Sequence, residues 1–137
     1  MASIRKEISI DVRPEDAWAA LRDFAAVHER LVPGFVTDAR MDGDDARIVT
    51  FFNGAVVRET LVGIDDAVRR LAYAIMDGPL ELAHYNGSAQ VFPDREGCRF
   101  VWIVDVLPDE QAEVINDLMG RGIAVIKTTL ESHAAVG

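Results

Sequence analysis

The chain reads as an α+β protein, one seven-stranded antiparallel sheet with a long C-terminal helix and two short helices after the first strand. Three observations predict it. From Phe35 to Leu107 apolar runs are separated by turn chemistry, with no helical period. After Pro108 the period becomes helical and stays so to about His133. Between the first strand and Phe35, Pro14-Glu15-Asp16 supplies a helix start.

Each element follows from local chemistry. In the first strand Ile4, Ile8, Ile10 and Val12 alternate with Arg5, Glu7, Ser9 and Asp11, and Lys6 is the polar intruder on the apolar face. Proline at the first helical position, acids where the helix dipole favours them, and the stripe Trp18, Leu21, Phe24 define the first short helix. A second, about Ala25 to Leu31, stops at Pro33-Gly34. The meander turns at Asp42-Gly43-Asp44-Asp45, Asn53-Gly54, Asp65-Asp66-Ala67, Asp77-Gly78-Pro79 and Pro93-Asp94-Arg95-Glu96-Gly97. Between the last two, Ala83, Tyr85, Gly87, Ala89 and Val91 share one face, and in the final strand Phe100, Trp102, Val104 and Val106 do. The terminal helix carries the stripe Ile115, Leu118, Met119, Gly122, Ile126, Leu130; Gly120 and Gly122 in mid-helix suggest close approach or space left for something else.

Asn53-Gly54 fixes a register. Read as a two-residue hairpin turn, it sets Phe52 opposite Ala55, Thr50 opposite Val57 and Ile48 opposite Glu59. Ile48, Thr50, Phe52, Val57, Glu59 and Leu61 then share an apolar face, and Arg47 and Arg58 point the other way. A carboxylate among such neighbours must be hydrogen-bonded, paired or kept protonated, so Glu59 needs a structural partner or a ligand. A three-residue loop at Asp65-Asp66-Ala67 sets Tyr73 opposite Glu59; an even-length loop sets Ala74 there.

Composition excludes several classes. The 137 residues, half of them apolar, suffice for one domain, expected to span residues 1–137. A net charge of -9 with no basic cluster longer than Arg69-Arg70 argues against nucleic acid and anionic membrane surfaces. There is no apolar run long enough to span a membrane and no signal-like N-terminus, so the expectation is a cytoplasmic protein. The lone Cys98 precludes an internal disulfide, and His28, His84 and His133 are too scattered to suggest a metal or a nucleophile-base pair. No phosphate-binding glycine loop is present, and neither a cofactor nor a metal is expected.

The order of elements resembles the helix-grip fold of the START, Bet v 1 and polyketide cyclase superfamily, and within it the small bacterial polyketide cyclase/dehydrase-like proteins. The resemblance covers nearly the whole chain. It is carried by Pro14-Glu15-Asp16-Ala17-Trp18, Pro33-Gly34, Asn53 through Glu59, Asp65, Tyr73, Asp77-Gly78-Pro79-Leu80, Tyr85, Trp102 and the Gly122 to Glu131 stretch. It implies a curved sheet wrapped around the long helix and a cavity between them for a hydrophobic or amphipathic small molecule. The loops near Asn53-Gly54 and Asp77-Gly78-Pro79 would close over its mouth. Glu59, Tyr73 and Tyr85 match the family's interior glutamate and tyrosines. Two departures stand out: Leu31 replaces a tryptophan common before the Pro-Gly, and the arginine many relatives carry in the third strand is replaced by the Thr50-Phe51 region.

The expected ligand contacts are therefore the hairpin face from Ile48 to Leu61 given above, then Tyr73 and Ile75, then Tyr85, Gly87 and Ala89. Trp102 and the helix residues Ile115, Met119, Gly122 and Ile126 complete them. The favoured function is binding of a lipid, aromatic or polyketide-like molecule in a cavity of about 300–1,000 Å³. The alternative is a cyclase or dehydratase-like lyase moving protons with Glu59 and a tyrosine, and a third reading is a protein-interaction module. An exposed edge or apolar rim leaves a homodimer open.

Overall fold

The computed structural model describes residues 1–136, apart from the side chains of Asp77, Ala135 and Val136. Strand β1 (Ala2–Ile10) leads through α1 (Pro14–Arg22), a 3₁₀ turn (Phe24–Ala26) and α2 (Val27–Arg30). The meander follows as β2 (Val36–Met41), β3 (Ala46–Phe51), β4 (Val56–Asp65), β5 (Arg70–Asp77), β6 (His84–Asp94) and β7 (Gly97–Leu107). A second 3₁₀ turn (Asp109–Gln111) opens into the 25-residue helix α3 (Ala112–Val136). The strands form one antiparallel sheet in the order β1-β7-β6-β5-β4-β3-β2.

This is the helix-grip fold. Alternation in β1 decides which face is covered, with Ile10 buried at its end and Ser3, Arg5, Glu7 and Ser9 exposed. Phe100, Val104 and Val106 of β7 meet Met119, Ile126 and Leu130 of α3 in the core, which Ala17, Leu21 and Phe24 extend beneath the short helices. Pro14 stands at the start of α1 with Glu15 and Asp16 behind it, as the sequence predicts. Two polar ties fix the far half of α3 to the end of β1. Lys127 Nζ donates to the Ser9 carbonyl at 2.7 Å, and the Asp11 amide donates to Glu131 Oε2 at 2.9 Å.

The β3–β4 hairpin differs from the expected register by one residue. The turn has three residues, Phe52, Asn53 and Gly54, closed by the Phe51 amide donating to the Ala55 carbonyl at 2.8 Å and the Gly54 amide donating to the Phe51 carbonyl at 2.9 Å. Gly54 takes φ +86°, the left-handed position of a three-residue hairpin loop. The pairs are thus Arg47 with Glu59, Ile48 with Arg58, and Val49 with Val57. Because side-chain direction has a period of two, this slip turns β3 over. Arg47, Val49 and Phe51 face the core side, whereas Ile48 and Thr50 lie half-buried on the opposite face and Phe52 sits on the turn, 42% exposed.

The next turn also departs from expectation. Asp65 pairs with Arg70 across a four-residue loop, and Asp65 Oδ1 accepts hydrogen bonds from the amides of Ala67 and Val68. A register shift between Leu61 and Gly63 restores the parity, so Glu59 faces Ile75 and Tyr73 faces Leu61.

Candidate functional site

Between the concave side of the sheet and α3 lies a cavity of about 220 Å³. Val49, Val57, Ile75 and Ala89 form its sheet wall, Ile115, Met119 and Ile126 its helix wall, and Leu21, Val27 and Leu31 close it from the short helices. At one end the lining is exposed: Asn53, Gly78, Pro79 and Val114 mark a mouth between the β3–β4 turn, the β5–β6 connection and the first turn of α3. The volume falls short of the 300–1,000 Å³ expected, and six aromatic side chains, Phe35, Phe51, Tyr73, Tyr85, Phe100 and Trp102, are part of the lining.

Glu59 lines this cavity and is 6% exposed. Its partner is Arg47, 8% exposed and directly opposite in the ladder. Arg47 Nε and Nη2 both lie 2.7 Å from Glu59 Oε1, while Nη1 donates to the Phe24 carbonyl at 2.9 Å. The guanidinium also stacks 3.8 Å from the Phe24 ring centroid. All three guanidinium nitrogens are thereby engaged. Among the described residues no donor is hydrogen-bonded to Glu59 Oε2. The expectation that β3 lacks an inward arginine is corrected here. The arginine is Arg47, hidden by the one-residue register error, and complementary charge directly across the ladder was the signal that could have found it.

A second polar group sits on β5, β6 and β7. Trp102 Nε1 donates to Tyr73 Oη at 3.0 Å, and the hydroxyls of Tyr73 and Tyr85 lie 3.3 Å apart. Both tyrosines are 6% exposed. Burial, then the negative charge of Glu59, pushes the Tyr73 phenol up to about 12, and burial followed by Tyr73 itself holds Tyr85 well above the ordinary phenol value. At neutral pH both are neutral hydroxyls.

Two glycines expected as ligand contacts have another task. A Cβ on Gly87 would stand 2.5 Å from Tyr73 Cζ, so its bare backbone seats that ring. A Cβ on Gly122 would lie 3.0 Å from Trp102 Cζ3 and 3.3 Å from Phe35 Cε2. Rings cover both positions, and neither lines the cavity; nor do Leu61, Ile48, Thr50 or Phe52. Val57, Glu59, Tyr73, Ile75, Tyr85, Ala89, Trp102, Ile115, Met119 and Ile126 do line it. Sequence reasoning missed Arg47, Val49 and Phe51 through the register, and Leu21, Val27 and Leu31 because the short helices were not placed over the cavity.

Other reactive groups stand apart. Cys98 is buried opposite Ile10, and burial pushes its thiol up to about 11. His84 and His133 are exposed, and His28 lies beside Glu29 outside the cavity. Among the described residues no three of His, Cys, Asp and Glu are grouped to hold a metal, and no helix is long and apolar enough to cross a membrane.

The fold is of the START/Bet v 1-like kind. A family model described as polyketide cyclase/dehydrase and lipid transport matches residues 1–132, and the chain belongs to that family. No curated protein sequence matches it. Among solved structures it is similar to the protein XoxI from Bacillus cereus, with a TM-score of 0.84 and 20% identity over 95% of this chain and 96% of that one. It is also similar to norcoclaurine synthase from Thalictrum flavum, solved with dopamine and hydroxybenzaldehyde, with a TM-score of 0.74 and 17% identity over 98% and 86%. The Zhui aromatase/cyclase from a Streptomyces species gives a TM-score of 0.74 and 16% identity over 98% and 93%. At these identities the likeness is one of fold.

Proposed function

We propose that this chain binds a compact, largely apolar small molecule in the cavity between the sheet and α3. The observation that carries the reading is an apolar-walled space of about 220 Å³ into which a few polar groups converge, the Arg47–Glu59 pair and the Trp102–Tyr73–Tyr85 chain. An apolar cavity of about 150 Å³ accepts benzene, so this one suits a substituted single ring or a short branched chain. Larger lipids or fused-ring polyketides would need the walls to move apart.

The same geometry lends less support to acid/base catalysis. Glu59 already receives a charge-assisted hydrogen bond from Arg47 Nε and an ion-pair contact from Nη2, and the two buried phenols hold their protons firmly. A lyase working through Glu59 would incorporate solvent deuterium into an enolisable ketone; a carrier would not.

The test is native mass spectrometry of the purified chain, followed by denaturing extraction and titration with single-ring aromatics. A bound mass released on unfolding, or saturable binding detected by tryptophan fluorescence, is the expected result. A chain that carries nothing and binds none of the probes overturns the reading. Glu59→Gln alone is a poor test, because it strands the buried charge of Arg47; the paired variant R47M/E59L changes the polarity without leaving a lone ion.

A further inference from the structure

The polar atoms of the cavity can be counted by what they have left to offer. Trp102 Nε1 donates to Tyr73 Oη, and the Tyr73 and Tyr85 hydroxyls share one hydrogen between them. Two phenols carry two hydroxyl hydrogens, so the shared contact uses one and leaves one. Among the described residues no other acceptor takes it; Glu59 acts on these phenols through its charge and not through a hydrogen bond. Glu59 itself gives Oε1 to Arg47 and keeps Oε2 for another donor. Arg47 directs Nε and Nη2 at Glu59 Oε1 and Nη1 at the Phe24 carbonyl, with its face on the Phe24 ring, so its charge is already met by Glu59.

We infer that the cavity selects an uncharged molecule of about one ring that carries both a hydrogen-bond donor, received by Glu59 Oε2, and an acceptor such as a carbonyl, met by the free hydroxyl hydrogen of the Tyr73–Tyr85 pair. This rests on the binding reading above and names its ligand class. Arg47 is a positioning residue in this scheme, orienting Glu59 and neutralising it. An anionic ligand is disfavoured, because it would add an unpaired charge beside an ion pair that already sums to zero in an apolar enclosure.

The hydrogen count gives the variants an unusual pattern. Tyr85→Phe frees the Tyr73 hydrogen and keeps one donor; Tyr73→Phe, Tyr85→Phe and Trp102→Phe together remove every donor of the Trp102–Tyr73–Tyr85 chain, the last change being needed because loss of Tyr73 Oη releases Trp102 Nε1. The probes are para-hydroxyacetophenone, para-ethylphenol, para-ethyltoluene and para-hydroxybenzoate, titrated by calorimetry. The wild-type chain should bind para-hydroxyacetophenone roughly tenfold more tightly than para-ethylphenol, and para-ethylphenol roughly tenfold more tightly than para-ethyltoluene, with para-hydroxybenzoate the weakest of the oxygenated probes. Tyr85→Phe should keep the preference for the carbonyl and the triple variant should lose it. Equal affinities across the four probes, or tightest binding of the benzoate, overturn the inference and leave a cavity that binds by shape alone. If no probe binds, the binding reading falls and the inference with it.

Discussion

Arg47 and Glu59 stand directly opposite each other across β3 and β4, and both nearer guanidinium nitrogens converge on a single carboxylate oxygen at 2.7 Å. The pair is buried on the wall of the cavity. Removing either partner leaves an uncompensated ion, which costs about 3–5 kcal/mol, whereas replacing both with apolar groups of similar volume is often close to neutral. Arg47→Met and Glu59→Gln should each lower the urea midpoint strongly, and R47M/E59L should recover most of the loss. A double variant as unstable as the two singles summed would mean that the two residues are not energetically coupled.

The mid-helix glycines separate by surroundings. Gly120 has nothing within 4 Å of an added Cβ, so Gly120→Ala should gain helix propensity and stabilise by about 1 kcal/mol. Gly122→Ala meets Trp102 and Phe35 and should gain nothing or lose stability. Gly87→Ala collides with the Tyr73 ring and should cost about 1–3 kcal/mol. Thermal melts of the three variants check the order; destabilisation by Gly120→Ala would contradict it.

Alkaline pH should unfold the chain through its phenols. Free tyrosines ionise near pH 10, while Tyr73 is pushed up to about 12 and Tyr85 is also raised. The folded state therefore holds these protons after the unfolded state has released them. Stability is intact below about pH 10 and declines as pH rises from there towards 12. The sequence contains two tyrosines, both in this pair, so tyrosinate absorbance reports on it alone. Normal ionisation near pH 10 without loss of structure would contradict the buried placement.

Acid acts at the other end of α3. The Lys127 hydrogen bond, then the Asp11 amide, holds the Glu131 carboxyl below its ordinary value. A depressed folded value means that the stabilisation is full above the unfolded glutamate value of about 4.3 and is lost as pH falls through the lower folded one. Glu131→Gln should flatten the acid limb of a urea-midpoint profile and change little on the alkaline limb. An unchanged acid limb would show that the contact contributes nothing.

The fold was legible because its signals are long and mutually consistent: alternation in β1, turn residues at intervals through the meander, and a helical period sustained from residue 112. The site was legible only in part. Alternation put Glu59, Val57 and Tyr85 on the core face; it left Tyr73 open, and that side chain turns inward only because the shift between Leu61 and Gly63 offsets the even-length loop. The opposite strand was not, since Ile48, Thr50 and Phe52 alternate as persuasively as Val49 and Phe51. Asn53-Gly54 marks a hairpin but does not by itself distinguish a two-residue turn from the three-residue one in which Gly54 alone is left-handed. Burying Arg47 breaks the binary pattern, and such breaks fall where a polar group has a specific partner. Cavity size was illegible for a different reason: it depends on how the six aromatic side chains of the lining are oriented.

Lys127 and Glu131 tie one half of α3 to β1, whereas among the described residues no side-chain hydrogen bond or ion pair joins positions 112–126 of the helix to the sheet. The first half of the helix is held instead by the short chain joining it to β7, by apolar packing and by the Arg121 guanidinium 4.9 Å from the Phe52 ring centroid. Its first two turns carry Val114 and Leu118 beside the mouth. Widening the cavity on this side would therefore displace side-chain packing and one cation–π contact and leave the ladder of sheet hydrogen bonds whole.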